Sequence, residues 1–225
     1  MDGHTILRVS QLVFQDRREA GRVLGELVVG LPDLKDAVVL GLVRGGVPVA
    51  YEVAHVCGLP LDILVVRKLG VPGQEELAMG AIASGGSVVL NDYIVRSYYV
   101  SEKKLKHVIA RETEEMERRE TLYREGRPAV DFAGRAVILV DDGLATGASM
   151  RAAVRAVKGR ARQVIVAVPV GAKSTCEDLA QEVDRVVCAM MPDPLDAVSL
   201  FYREFGATTD EEVKMLIKQG IGNRE

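Results

Sequence analysis

Val137-Ile-Leu-Val-Asp-Asp-Gly-Leu-Ala-Thr-Gly-Ala-Ser149 carries four apolar residues straight into two adjacent carboxylates, Asp141 and Asp142, and then into a loop of Gly, Thr and Ser. An apolar run of this kind reads as a buried strand, and the loop after it leads into a helix. Such a junction aims several backbone N–H groups at one spot, with the positive end of the helix dipole behind them, and that spot suits a phosphate. Gly143 and Gly147 permit close approach, while Thr146 and Ser149 add hydroxyl donors. The stretch is not a nucleotide P-loop, because the G-x-x-x-x-G-K-[ST] spacing and its lysine are absent; no G-x-G-x-x-G follows a strand elsewhere. Paired carboxylates beside the loop would repel a bare phosphate. They suit a ligand that also presents hydroxyl donors a few ångströms away, as a ribose 5-phosphate does, and they would stabilise positive charge developing on that sugar. The plainer alternative is that one Asp caps the turn and the other is a solvated surface charge.

Outward from this stretch, strands alternate with helices. Ala37–Val43 is an apolar run ending in Arg44-Gly45-Gly46, and a helix over 47–57 closes near Gly58. Strands follow at 61–66, 135–140, 164–170 and 185–190, with helices at 147–158 and between the last two strands. Asp16 with Glu19 forms a capping box for an N-terminal helix, and Thr209 opens a C-terminal helix that stops at Gly220. The strands are solid apolar runs rather than in-and-out alternations, the pattern of a parallel sheet covered on both faces. The expected fold is α/β, a doubly wound, mostly parallel sheet with helices on both sides and a long helical insertion. Residues 1–225 read as one domain in which 70–130 is the insertion: a loop at 71–75, a hairpin around Gly85-Gly86, and a charged helix over 101–125. That helix carries acid-first pairs at i,i+4, Glu102–Lys106, Glu114–Arg118, Glu115–Arg119 and Glu120–Arg124, over a thin stripe of Leu105, Ile109, Met116 and Tyr123. Ligands of such sheets sit at the carboxyl ends of the strands, where both Arg44-Gly45-Gly46 and the 141–149 loop fall.

With 48% hydrophobic and 27% charged residues, the composition is that of a soluble globular chain, and the net charge of −3 gives no nucleic-acid footprint. No apolar run reaches the roughly 18–20 residues of a membrane helix, and the first ten residues lack a signal-peptide pattern. Cys57, Cys176 and Cys188 are odd in number and without metal-ligand spacing, which fits reduced thiols and a cytoplasmic setting. His4, His55 and His107 read as structural or solvated.

Val-Asp-Asp-Gly-Leu-Ala-Thr-Gly-Ala-Ser resembles the phosphoribosyl diphosphate (PRPP) motif of the type I phosphoribosyltransferases, and the segment order agrees over roughly residues 35–205. That resemblance implies that Asp141 and Asp142 hold the ribose hydroxyls and that Ala145, Thr146, Gly147, Ala148 and Ser149 wrap the 5-phosphate. Ser149 stands where the family pattern usually has Thr, keeping the hydroxyl. Arg44, Gly45 and Gly46 occupy the place of the pyrophosphate loop, with Arg67 and Lys68 as a cationic pair facing the same group. The family implies Mg²⁺, reached by Asp141 and Asp142 through ribose hydroxyls or water. The base pocket would draw on Met191, Asp193 and Phe201, with the 70–130 segment as a mobile hood; Glu75 and Glu76 beside it are acid/base candidates by position only.

The implied function is transfer of the 5-phosphoribosyl group from PRPP to a nitrogen nucleophile, a nucleobase by family precedent, with release of pyrophosphate. Homodimerisation is compatible with the long amphipathic helix. Ala145 stands where hypoxanthine–guanine enzymes place an acidic residue, which weakens a 6-oxopurine acceptor and leaves open a non-catalytic PRPP or nucleotide sensor. No subfamily with a known base matches the whole chain, which most resembles bacterial proteins known by their phosphoribosyltransferase domain alone.

Overall fold

In the computed structural model, which describes residues 13–221, helix α1 (Arg17–Val29) precedes β1 (Val38–Leu42), α2 (Gly46–Cys57) and β2 (Leu61–Leu64). Next come β3 (Val66–Val71), β4 (Gln74–Ala83), β5 (Ser87–Leu90), α3 (Asp92–Ser97) and α4 (Glu102–Arg124). The chain continues through β6 (Ala136–Val140), α5 (Ala148–Lys158), β7 (Gln163–Val170), α6 (Lys173–Ala180) and β8 (Arg185–Met190). A 3-10 turn (Val198–Phe201) and α7 (Asp210–Ile221) close it.

The five apolar runs pair in parallel in the order β2-β1-β6-β7-β8. Alternate side chains enter opposite cores, which is why almost every position is apolar, Asp62 of the edge strand β2 being the buried exception. Val39, Ile138, Val140, Ile165 and Ala167 face α1, α2 and α7. Val38, Leu40, Val137, Leu139 and Val166 face α5 and α6. From β1 the chain winds outward to β2, and from β6 it winds the other way to β7 and β8, so the winding direction reverses between β1 and β6. Their register, Val38 against Val137 through Gly41 against Val140, brings the loops after both strands side by side at that reversal. An open α/β sheet leaves its crevice for ligands there.

The insertion departs from expectation in one hairpin and in the short helix α3, which the sequence reading did not place. Instead of a loop, 71–75 contains the tight turn of a second hairpin: Val71 pairs with Gln74 around Pro72 and Gly73, the latter at φ +85°. Pro followed by a positive-φ Gly is turn chemistry, but β3 and β4 are half polar and lack the apolar run that marks the parallel strands. The expected hairpin at Gly85-Gly86 forms between β4 and β5, completing a three-stranded antiparallel sheet.

Helix α4 starts at Ser101, whose hydroxyl accepts from the Lys104 amide, and ends where Glu125 turns left-handed. Its buried face includes Val108, Glu112, Met116 and Tyr123. Three of the four expected ion pairs form, while Arg118 chooses Glu115 at 2.7 Å over Glu114. Its last turn is anchored to the sheet edge: Arg124 Nε donates to Asp62 Oδ1 at 3.0 Å and Nη2 to the Ile63 carbonyl at 3.1 Å. Asp62 Oδ2 accepts from the Val130 amide, so this buried pair is satisfied at both ends.

Candidate functional site

The fold places the 141–149 loop and Arg44-Gly45-Gly46 against each other with no room between them. A Cβ on Gly46 would lie 2.6 Å from the Val140 carbonyl and 2.8 Å from Asp141 Cα, and one on Gly45 would collide with Asp142 Oδ2. Glycine at both positions is therefore a condition of the two loops meeting. The Val43–Arg44 peptide is cis.

The paired carboxylates have different surroundings. Asp141 accepts the Asp142 amide on Oδ1 at 2.9 Å. Loss of hydration, and then the neighbouring Asp142, push its carboxyl well above the usual carboxylate range. Asp142 is instead ion-paired: Arg17 Nε donates to its Oδ2 at 2.8 Å. That guanidinium also donates to the Gly206 carbonyl at 2.7 Å and lies 3.9 Å from the Phe205 ring centroid. On the other side, Tyr202 Oη donates to the Asp142 carbonyl at 2.6 Å. Asp142 is thus gripped at its side chain from α1 and at its backbone from the C-terminal segment. Burial pushes the Tyr202 phenol up, which keeps it a donor. Tyr202→Phe is expected to leave that carbonyl without its donor, costing about 1.5 kcal/mol of stability. Thermal unfolding should show a midpoint about 3–6 °C lower.

The loop beyond is shaped from behind. Leu144 and Gly171 form a β-bridge, Thr175 Oγ1 donates to the Ala145 carbonyl at 2.7 Å, and Arg151 Nη1 donates to the Thr146 carbonyl at 3.0 Å. Gly147 sits at φ +75°, which turns the chain into α5. Carbonyls are thereby directed into the protein. Among the described residues, no acceptor meets the amides of Ala145, Thr146, Gly147, Ala148 or Ser149. Five unpartnered amides at a helix N-terminus, with exposed Thr146 and Ser149 hydroxyls, form an anion cradle. Val198 closes one side, its methyls occupying the space that a Cβ on Gly143 would need.

The remaining candidates disperse. Arg44 Nη1 lies 3.5 Å from Asp210 on α7, which also accepts from Tyr123 Oη at 2.7 Å. Arg67 and Lys68, adjacent on β3, point to opposite faces, as strand geometry requires. Arg67 is bound to buried Glu112 of α4 at 2.6 Å, whereas Lys68 contacts Glu76 at 3.1 Å and lines a cleft beside α5 and Ser149. Met191 lines a cavity of about 170 Å³ with Cys176 and Cys188, Phe201 packs in the aromatic cluster of Phe14 and Tyr202, and Asp193 is exposed before cis-Pro194. These three do not converge on one cavity. Glu75 and Glu76 are exposed. His4 lies outside the described residues. Two cysteines far apart in sequence are brought together: a Cβ on Gly171 would lie 2.5 Å from the Cys176 sulfur and 3.2 Å from that of Cys188.

Arg17, like Thr175 and Arg151 behind the loop, is a site residue that the sequence reading missed. It lies 125 positions before its partner Asp142, and nothing local distinguishes it from the neighbouring arginines of α1.

A loop of free amides beside two carboxylates, at the reversal of a doubly wound sheet, is an anion-binding site on an α/β fold. The phosphoribosyl transferase domain model matches residues 18–194, and the chain belongs to that family. It is 45% identical over 202 residues to "Putative phosphoribosyl transferase Rv0571c" of Mycobacterium tuberculosis, covering 89% of this chain and 45% of that protein. The chain thus spans about half the length of the curated relatives it matches. Among solved structures it is similar to TT1426 from Thermus thermophilus, with 43% identity, a TM-score of 0.81, and coverage of 94% of this chain and 100% of that one.

Proposed function

We propose that the chain transfers the 5-phosphoribosyl group of PRPP to a nitrogen nucleophile, a nucleobase in the simplest case, releasing pyrophosphate. The observation that carries this reading is the juxtaposition of five unpartnered amides with Asp141 and Asp142, which suits one ligand that offers a phosphate and hydroxyls side by side. In this scheme the 145–149 amides anchor the 5-phosphate and the two carboxylates accept from the ribose hydroxyls. The C1′–O bond to pyrophosphate breaks as the C1′–N bond forms, and the acceptor's proton passes to solvent. Positive charge on the sugar in that transition state faces the 141–142 carboxylates. Arg44 and the Gly45-Gly46 turn receive the leaving pyrophosphate, with Arg44 exchanging Asp210 for phosphate oxygens.

Among the described residues, no three His, Cys, Asp or Glu side chains cluster to hold a metal ion. These residues therefore offer no cage of their own. Asp141 and Asp142 fit a Mg²⁺ carried by phosphate and hydroxyl oxygens of the substrate, reached through water. When bound, the ion would neutralise part of the pyrophosphate charge.

Calorimetric titration with Mg·PRPP tests the reading, with Ser149→Asp as control. A carboxylate at this exposed first-turn position suits the helix dipole, so the variant should fold, yet it opposes a phosphate. Wild type is expected to bind and the variant to lose at least about 100-fold in affinity, two charges being forced together in the cradle. Pyrophosphate release with a panel of nucleobases then separates transfer from mere sensing. Wild type that fails to bind PRPP would overturn the reading.

A further inference from the structure

The N-terminal half of α4 carries a charge pattern that the proposed reaction does not use. Lys103, Lys104, His107 and Arg111 line a groove of about 480 Å³ whose opposite wall is the β3–β4 turn, Gly70, Pro72 and Gly73. All four are exposed. Among the described residues, Lys103, Lys104 and His107 form no ion pair, while Arg111 contacts Glu112 at 2.9 Å. The rest of α4 behaves otherwise: Arg118, Arg119 and Arg124 each find a carboxylate on their own helix. Among the described residues, Glu75 is the sole carboxylate lining the groove; it accepts the Gly73 amide on Oε1 at 3.1 Å and faces Arg111, leaving Lys103 and Lys104 without a carboxylate in the groove.

The placement is also electrostatically costly. Lys103 and Lys104 stand in the first turn of α4, where the helix dipole disfavours cations, and the acid of that turn, Glu102, is paired with Lys106 at 2.6 Å. Helix α1 also opens on two cations, but there each is matched by a carboxylate, Arg17 by Asp142 at 2.8 Å and Arg18 by Glu52 at 2.7 Å. Placing two lysines against the dipole, unpaired and beside a concave wall, leaves a local positive field that an anion would relieve. Lys103 and Lys104, with Arg111 able to leave Glu112, match a ligand that carries two or more phosphate charges.

We propose that this groove is a second anion site, separate from the 141–149 cradle, that takes a polyphosphate group: a di- or triphosphate chain, free or carried on a nucleotide. Lys103 and Lys104 grip its outer oxygens, and Arg111 turns from Glu112 toward it. Glu112 is the same carboxylate that holds Arg67, through Nε at 3.0 Å and Nη2 at 2.6 Å. Occupancy of the groove thus leaves Glu112 wholly to Arg67 and, if Arg67 faces pyrophosphate as the family resemblance implies, lowers affinity for PRPP. The groove's own binding does not depend on that reading.

The test uses inorganic tripolyphosphate titrated into the full chain at constant ionic strength, with wild type, Lys103→Ser/Lys104→Ser, Ser149→Asp and their combination compared. Both lysines are exposed and unpaired, so their replacement should leave the thermal midpoint unchanged or slightly raised. Ser149→Asp, with its cradle blocked, is expected to keep a tripolyphosphate site, and adding Lys103→Ser/Lys104→Ser to it weakens that site about tenfold or more, as expected when two charge-assisted contacts go. Tripolyphosphate bound equally with and without the two lysines in the Ser149→Asp background, or not bound by wild type, overturns the groove. Binding abolished by Ser149→Asp alone places the anion in the cradle and overturns it as well. If tripolyphosphate binds in the groove while PRPP binds nowhere, the groove stands and the proposed transferase function falls. Repeating the titration with adenosine triphosphate distinguishes a bare chain from a nucleotide-borne one.

Discussion

Asp141→Asn is expected to abolish PRPP binding and, in the same protein, to raise the thermal midpoint. Asp141 is a desolvated carboxylate beside a second one, and its proton is held more tightly in the folded chain than in the unfolded one. The sign follows from linkage: the folded state binds more protons, so stability falls as pH rises from the unfolded carboxylate range, about 3.9, through the raised folded value. Above that value the whole penalty is present. Asn keeps the shape, can still accept the Asp142 amide, and carries no charge, which relieves that penalty and should raise the midpoint by about 2–4 °C at neutral pH, the size of an ordinary single stabilising substitution. The gain should vanish near pH 3, about where the wild-type carboxyl is protonated in both states. Affinity moves the other way, by at least about 100-fold, because a neutral amide neither accepts two hydroxyl bonds as strongly nor opposes positive charge on the sugar. Differential scanning calorimetry across pH, paired with PRPP titration, checks both limbs. A destabilised Asn variant would show that Asp141 is a structural hub rather than a strained ligand group. Wild-type PRPP affinity should correspondingly weaken in acid as Asp141 takes up its proton.

Gly46→Ala is the second large effect. Its methyl would enter at 2.6 Å from the Val140 carbonyl and 2.8 Å from Asp141 Cα, backbone atoms that have no rotamer to move. Either the Arg44-Gly45-Gly46 turn shifts or the end of β6 does, and overpacking of this kind costs about 2–3 kcal/mol. The midpoint should fall by about 5–10 °C. PRPP binding should be lost along with binding of inorganic pyrophosphate, since the turn and the 141–142 carboxylates are displaced together. Gly30→Ala is the matching control: no atom lies within 4 Å of the Cβ it would add, and it should behave as wild type in both assays. Loss of midpoint without loss of pyrophosphate binding would separate the turn from the leaving-group site.

The parallel core was legible because its signal is local. A strand buried on both faces must be apolar at almost every position, and each of the five runs announces itself within its own residues. The anion loop was legible for a similar reason: carboxylates, glycines and hydroxyls lie within nine positions, 141–149, whose conformation depends mainly on its own turn and helix start. The β3–β4 hairpin was not legible. Its strands are half polar and are held by pairing with one another and by packing on α4 and α5, partners distant in sequence.

Which charges meet is decided only in three dimensions. Arg67 and Lys68 look like a pair in sequence, yet a strand sends neighbours to opposite faces, and Glu112 takes one of them. Arg17 looks like any helical arginine until folding sets it against Asp142 and the Phe205 ring. The sequence alone determined a doubly wound sheet and an amide loop behind two carboxylates, because periodicity and turn chemistry act over a few residues. The tertiary structure decided which carboxylate is neutralised, which is left strained and where the unpaired lysines face, because Coulomb forces act through space and take no account of separation along the chain.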